Sequence, residues 1–489
     1  MSRRMFSRPA RLGALLSGRP ERFVTNLLTE KRILVRIEAS FCDISDAREA
    51  FLFAVNQALR FCTNVSVCIE GRSSDLIRQS NGVAVRIHGH PQPVKVVDGN
   101  GFQQFDAIVN VGTKVLAGLP SATINSSGWI ARLATARSGA STLPWRPEKP
   151  NPLGALAAAC LGAGAAFLAI LDRPLSSLME TSLFTHEEGP PGSLRTGPPL
   201  PDTPLSLDAF LVGCGAVTNG WAYAVKRLPV VGKLQAIDSQ SVRIENLGPY
   251  VAAGRDSVDK LTPKVVLIRD VLWPGVEVVP RADQWEFFKI RLRNEIRVPQ
   301  LIVSGLDNVT TRHSVQRLWP ETLIDMAAGE LQSQVIVKHR SGDGQCLLDA
   351  LTIPPNEDHW SKNLARKTGM SAGMIANDPT GGITQAEIDA APQNKKSKLQ
   401  GALGKPRCGY INHTSLELED YDPDFAPAVP FVTAFSGVAG AAETVKWLMG
   451  QRYAHSLHLQ RSFISGHGRA LNMTCNPNCE CRLVARSVK

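Results

Sequence analysis

The apolar run Phe210-Leu211-Val212 is long enough for a buried strand. It stops at Gly213-Cys214-Gly215-Ala216, and Trp221 to Leu228 then carries a helical pattern. A second apolar piece, Leu234 to Ile237, ends on Asp238. The pattern predicts strand, tight turn, helix and strand, with an acid at the second strand's end. A different pattern runs from Leu153 to Leu171, which is 19 residues without a charge. That is long enough to span a bilayer. It is rich in Ala and Gly and lacks an aromatic belt or a one-sided basic flank, so it reads as a buried core helix.

The same patterns occur twice. Pro152 to Ile170 aligns without gaps to Pro430 to Leu448, with Gly162-Ala163 on Gly440-Ala441. The second copy carries Glu443 and Lys446, which argues against a membrane setting for this type of helix. Ile33 to Ile37 with the helical Ser45 to Leu59 matches the strand, turn and helix at 210–228. Asp106 to Val111 matches Gln300 to Leu306, and Thr123-Ile124-Asn125 matches Leu323-Ile324-Asp325. Where the second copy has Gly213 and Gly215, the first has Arg36-Ile37-Glu38-Ala39-Ser40, and Asn110 to Gly112 stand where the second has Asp307. The chain is therefore read as a duplication. It has a basic flexible arm at 1–22, an inert half at 23–185, a Pro/Gly-rich linker at 186–207 and a working half at 208–489.

Composition changes this picture little. A chain of 489 residues exceeds one core, which agrees with two or three domains. The net charge of +10 is moderate, and no basic block is interleaved with aromatics, so nucleic acid is not the expected partner. The twin arginines at the start are followed by no apolar core, so no export signal is read and a cytoplasmic protein is expected. Ten unevenly spread Cys suit metal binding or reactive thiols in a reducing compartment better than a disulfide framework.

Strand, glycine turn, helix, strand and acid form a nucleotide-binding unit for physical reasons. Glycine admits a phosphate close to the backbone, the helix start offers free N–H groups, and the acid can accept bonds from ribose hydroxyls. A tight turn that binds nothing is the plainer alternative. After Asp238 come "SQSVRIENLGPY", Lys264 in "LTPKVVLIRDVL", and "VSGLDNVTTR" with Asp307 and Arg312. This order resembles the ThiF/MoeB/ubiquitin-activating-enzyme family, clearly over 205–485 and weakly, through the repeat, in the first half. The resemblance implies an α/β fold of two tandem Rossmann-like adenylation domains, the first degenerate, with a crossover-loop insertion at about 340–428 in the second.

It also implies a reaction. The family adenylates the C-terminal carboxylate of a small β-grasp protein with ATP and Mg²⁺. By similarity, Gly213 and Gly215 approach the phosphates, Asp238 holds the ribose, Asn246 and Lys264 contact phosphates, and Asp307 binds Mg²⁺. Arg312 joins the nucleotide-binding set. Each has a plainer reading: Lys264 a solvated helix-start lysine, Asn246 a turn residue, Asp307 a cap, Arg312 the partner of an acid in its own half. The chain departs from the family pattern at Gln240, where a second acid is expected, and at Pro249-Tyr250, where an arginine is expected.

In family members that go beyond adenylation, a crossover Cys takes the acyl group. Cys408 is the candidate here, with Lys405 and Arg407 beside it to favour a thiolate, and Cys214 is a weaker one. The tail "CNPNCECRL" resembles the family's closing cysteine motif, which holds a structural Zn²⁺ together with an earlier pair. The set here is Cys346, Cys479 and Cys481 with either Asp349 or Cys475; a metal-free thiol cluster is the alternative.

The expected activity is thus activation of a ubiquitin-like protein, thioester formation and transfer to a conjugating-enzyme-like protein. A homodimer, or a higher complex with that enzyme, is compatible with it. Adenylation of a sulfur carrier or peptide without thioester transfer, a non-catalytic scaffold of the same fold, and a nicotinamide oxidoreductase are the competing readings.

Overall fold

The computed structural model describes residues 3–482, apart from 72, 90–93, 99–100, 293–296, 355–359 and 412–427. Two eight-stranded sheets carry the chain. The first is built from β1 (Arg32–Ile37), β2 (Asn64–Ile69), β3 (Lys95–Val96), β4 (Ala107–Val111), β5 (Ser121–Ser127), β6 (Ile130–Thr135), β7 (Leu178–Ser182) and β8 (Glu188–Gly189). The second is built from β9 (Leu205–Val212), β10 (Val230–Ile237), β11 (Val276–Arg281), β12 (Leu301–Ser304), β13 (Thr322–Gly329), β14 (Gln332–His339), β15 (Leu457–Ser462) and β16 (Gly468–Asn472). Spatial order in the first is β3-β2-β1-β4-β5-β6-β7-β8, and the second repeats it as β11-β10-β9-β12-β13-β14-β15-β16. In each, the first five strands in that order are parallel and the last three antiparallel. The α/β class and the tandem arrangement therefore hold.

The helices are α1 (Ser7–Ser17), α2 (Glu21–Glu30), α3 (Ser45–Phe61), α4 (Ser74–His88), α5 (Pro152–Ile170), α6 (Ala216–Val225), α7 (Arg255–Asp259) and α8 (Lys264–Leu272). They continue with α9 (Trp285–Leu292), α10 (Val309–Gln316), α11 (Leu347–Ala350), α12 (Trp360–Thr368), α13 (Ala372–Asn377), α14 (Gln385–Ala390), α15 (Gln393–Gln400) and α16 (Pro430–Leu448). The two duplicated helices, α5 and α16, have the bounds the alignment gave. Of the described helices, α5 is the one apolar and long enough to cross a membrane, and 94% of its apolar window is buried inside the fold.

The halves share one core. Phe61 of α3 meets Phe167 of α5 at 5.3 Å and Phe431 of α16 at 6.0 Å, and Phe431 meets Phe463 at 5.3 Å. Such aromatic edges belong to a continuous interior rather than to two domains on a tether.

Three expectations need correction. The stretch read as a flexible arm forms α1, with Pro9, Ala10, Leu12 and Gly13 buried; its arginines hid an apolar stripe. The stretch read as a linker is packed down: β8 pairs with β7, and the Trp129 indole donates to Pro198 O at 2.6 Å. Helix α6 begins at Ala216, directly on the glycine turn, and ends at Val225. Thr218-Asn219-Gly220 looks like a helix breaker, yet a Cβ on Gly220 would lie 2.8 Å from Ala434 Cα, and one on Gly437 would lie 2.3 Å from Val217 O. Two glycines let α6 and α16 cross backbone to backbone, and that packing overrides propensity.

Candidate functional site

The site lies at the ends of β9, β10 and β12. Gly213 takes φ +80°, and a Cβ there would lie 2.9 Å from Leu306 and 3.1 Å from Gly305 O. Glycine is required by the fold at that position. Gly215 differs: an added Cβ would meet nothing nearer than Gly305 O at 3.7 Å and the Tyr250 hydroxyl at 4.0 Å. The protein leaves that face of the turn open, as close approach of a ligand demands.

Asp238 fixes the turn from β10. Its carboxylate accepts from the Cys214 N–H and from the Gln240 N–H, both at 2.8 Å. Cys214 is fully buried, and burial with Asp238 nearby drives its thiol pKa well up, which removes it as a nucleophile.

Lys264 opens α8 but is not a solvated helix-start lysine; it is 7% exposed. Its backbone N–H reaches Gln240 O at 2.8 Å, and its ammonium donates to Gln240 Oε1 at 2.5 Å. Burial pulls its pKa down, but Tyr250, Asp238 and Asp307 outweigh this and raise it. The ammonium lies 5.7 Å from the centre of the Tyr250 ring. Tyr250 and Gln240 were noted from sequence only as departures, and the structure shows both on Lys264.

Asp307 is exposed between β12 and α10, and the capping role belongs to its neighbour: Asn308 Oδ1 accepts from Thr311 N at 2.9 Å. Asn246 is buried, and its Oδ1 accepts from the Arg243 N–H at 2.8 Å, so it braces its own turn. Arg312 departs from the expected nucleotide set. Its Nε and Nη2 both donate to Asp325 Oδ2 in the core of its own half. The structure thus gathers Gly213, Gly215, Asp238, Lys264 and Asp307, and turns Arg312 inward.

At the matching place in the first half, an internal carboxylate fills the turn. Glu38 accepts from Thr113 N at 3.2 Å, Lys114 N at 2.9 Å and Asn110 Nδ2 at 2.9 Å. A Cβ on Gly112 would overlap it at 2.1 Å. The Thr113 and Lys114 amides of this loop are thus held by an internal carboxylate.

Cys408 is half-buried against the apolar cluster of the insertion. The expected help from Arg407 is absent. Its buried guanidinium is spent on Glu387 and Asp378, with contacts of 2.8–2.9 Å. At the other end of the second half, the sulfur atoms of Cys346, Cys479 and Cys481 lie within 4.8 Å of one another. Cys475 Sγ is 3.0 Å from that of Cys481, and Asp349 is occupied by the Asn476 N–H at 2.8 Å. Three thiolates so placed are compatible with tetrahedral Zn²⁺; Cys475 stands beside Cys481 alone, and Asp349 is engaged elsewhere.

The sequence model of the ThiF family matches residues 204–483, more than half of the chain. The chain belongs to the ThiF family. The matched span begins one residue before β9 and contains every residue of the site above. Among relatives of this ThiF-family chain is the uncharacterized protein y4jF of Sinorhizobium fredii (strain NBRC 101917 / NGR234). It is 27% identical over 252 residues, which is 47% of this chain and 43% of the relative. The chain thus spans less than half the length of the curated relative it matches. Among solved structures, E. coli MccB with selenomethionine-labelled MccA is 14% identical, covers 57% of this chain and 67% of its own, and superposes with a TM-score of 0.36. E. coli MccB with ATP is 14% identical, with coverages of 56% and 66% and a TM-score of 0.34.

Proposed function

We propose that the second half adenylates a terminal carboxylate. The observation that carries this reading is the buried, charged Lys264 beside Asp238 and Asp307, next to a turn whose second glycine leaves an open face. A carboxylate oxygen attacks the α-phosphorus of ATP, the bond to the bridging oxygen breaks, and pyrophosphate leaves with that electron pair. The attacking group is already anionic, so the site supplies positive charge rather than a base. The α6 N-terminus and Lys264 supply that charge, and Asp238 accepts from the ribose while holding the turn. Asp307, an exposed carboxylate at a strand end, is the residue that would hold Mg²⁺, which neutralises phosphate charge when bound.

The substrate we infer is the C-terminus of a ubiquitin-like protein, and the first half, with Glu38 lodged against the Thr113 and Lys114 amides, is a non-catalytic partner. In the full scheme Cys408 sulfur attacks the acyl carbon, AMP leaves, and a conjugating-enzyme-like protein receives the acyl group. The setting of Arg407 favours a second reading, in which adenylation occurs without a thioester on Cys408 and the substrate is a peptide or sulfur carrier. Ten cysteines without a disulfide suit a reducing, cytoplasmic setting.

ATP–pyrophosphate exchange with candidate C-terminal peptides and small proteins tests the reading. Exchange is expected to need the free carboxylate and to be lost in Asp307→Ala. No ATP binding at millimolar concentration would leave only a scaffold of the same fold. Cys408→Ala should keep exchange and lose a reductant-sensitive conjugate. A conjugate that persists in that variant removes Cys408 from the scheme.

A further inference from the structure

The loop 247–253 links Asn246 to Tyr250 and runs beside the site, yet its carbonyls are met largely from the other half of the molecule. Arg60, the penultimate residue of α3, is completely buried. Its Nη1 donates to Leu247 O at 2.5 Å, and its Nη2 donates to Val251 O at 2.9 Å and to Ala253 O at 2.8 Å. Its Nε donates to Asn56 Oδ1 at 2.7 Å, and Asn56 Nδ2 donates to Val251 O at 2.9 Å. Among the described residues the charged or titratable groups acting on this guanidinium are Arg86 and Tyr223, not a carboxylate. Three of its four bonds go to backbone oxygens of one loop.

That loop is also tied to the phosphate-side helix and to the duplicated one. Ala252 N donates to Asn219 Oδ1 of α6 at 2.8 Å, and Thr433 Oγ1 of α16 donates to Pro249 O at 3.0 Å. Tyr250 projects from the loop against Lys264 and the open face of Gly215. Buried carbonyls need donors, and a planar fork reaches three where an ammonium on a flexible stem does not.

We propose that Arg60 is a positioning residue for the ATP site of the opposite half, acting through the loop 247–253 on Tyr250 and hence on Lys264. The inference rests on the adenylation reading and assigns the inert half a role in it. The first half has Glu38 in its own turn, and it sets the geometry of its partner's.

The test uses the full chain. Arg60→Lys keeps the aliphatic stem and a donor at its end and loses the fork. Glu49→Ala breaks another contact between the halves, the 2.6 Å pair with Arg227, which does not touch the loop. Each variant is examined by thermal unfolding, by calorimetric titration with ATP and Mg²⁺, and by amide hydrogen exchange over 247–253 without nucleotide. Arg60→Lys is expected to stay folded, to lose protection in 247–253, and to bind ATP at least tenfold more weakly. Glu49→Ala is expected to bind within about twofold of the parent. A role for the stem and a single donor alone would be met by lysine. A folded Arg60→Lys that binds ATP like the parent, or equal weakening by Glu49→Ala, overturns the assignment. If Arg60→Lys does not fold, Asn56→Ala replaces it, with the same loss of loop protection and affinity expected, and parent-like values overturning the assignment. Failure of the parent chain itself to bind ATP would instead overturn the adenylation reading, and this inference with it.

Discussion

The Lys264 ammonium stands 2.5 Å from the Gln240 side-chain oxygen, while the Lys264 backbone N–H is bound to the carbonyl of the same glutamine. One residue thus fixes both ends of the lysine. Gln240 does so without adding a negative charge to the pocket. Lys264→Ala should lower ATP affinity by about a hundredfold or more, because a desolvated ammonium facing phosphate exceeds an ordinary hydrogen bond in strength. Gln240→Glu keeps the acceptor and adds an anion, so its loss should stay within about tenfold. Calorimetric ATP titration of the two variants checks the order; a larger loss for Gln240→Glu would contradict this account of the pocket.

Asp307 and Asn308 are adjacent and should separate cleanly. Asp307 is exposed and does not cap α10, so Asp307→Asn should leave the unfolding midpoint unchanged and abolish Mg²⁺-dependent pyrophosphate exchange. Asn308→Ala removes the cap bond to Thr311 N and should cost about 1 kcal/mol of stability. Urea unfolding beside exchange assays decides it, and an Asp307→Asn variant that is destabilised would return that residue to a structural role.

The cysteine cluster predicts a bound metal. Burial, then Cys479, pushes the Cys346 thiol up to about 11, so as a metal-free group it stays protonated near neutrality. Zn²⁺ would reverse this by binding the thiolates. Protein purified without chelator should carry about one zinc per chain by elemental analysis. Cys479→Ser with Cys481→Ser should lose the metal and several degrees of unfolding midpoint. Metal-free protein of unchanged midpoint would mark a thiol cluster only.

Acid should weaken the fold in two stages. Burial, with Arg452 nearby, lowers the His339 pKa to about 4. Its neutral ring suits the folded state, whereas an unfolded histidine takes a proton near pH 6.5. Stability from this residue is complete above about 6.5 and drains as pH falls toward 4. Glu443 behaves in the next window. Burial acts to raise its pKa, but Lys446 and His186 outweigh it and hold the carboxyl at about 2. Its contribution is present above the ordinary carboxylate value of about 4.3 and is lost as pH falls from there toward 2. Urea midpoints across pH 7 to 2.5 should show both stages. His339→Gln should flatten the upper one. Glu443→Gln should flatten the lower one and lower neutral-pH stability by about 3 kcal/mol, because Lys446 is left buried without its carboxylate.

The sequence by itself determined the duplication, the sheets and the glycine turn, because these follow from local periodicity. The strand 210–212, the acid at 238 and the paired helices at 152–170 and 430–448 are each written within a few residues of themselves. Family order then pointed to Lys264 and Asp307. What the chain does with its polar side chains was decided in three dimensions. Arg312 and Arg407 look available in sequence, and each is taken by a carboxylate from another element, Asp325 or Glu387. Arg60 sits between Leu59 and Phe61 in the last turn of α3, and only a polar Asn56 one turn earlier on the same buried face hinted at a partner. Its three carbonyl acceptors lie more than 180 residues downstream. Apolar burial is patterned by neighbours along the chain, but a charge is stabilised by whichever group folding brings to it, and that is a property of tertiary structure.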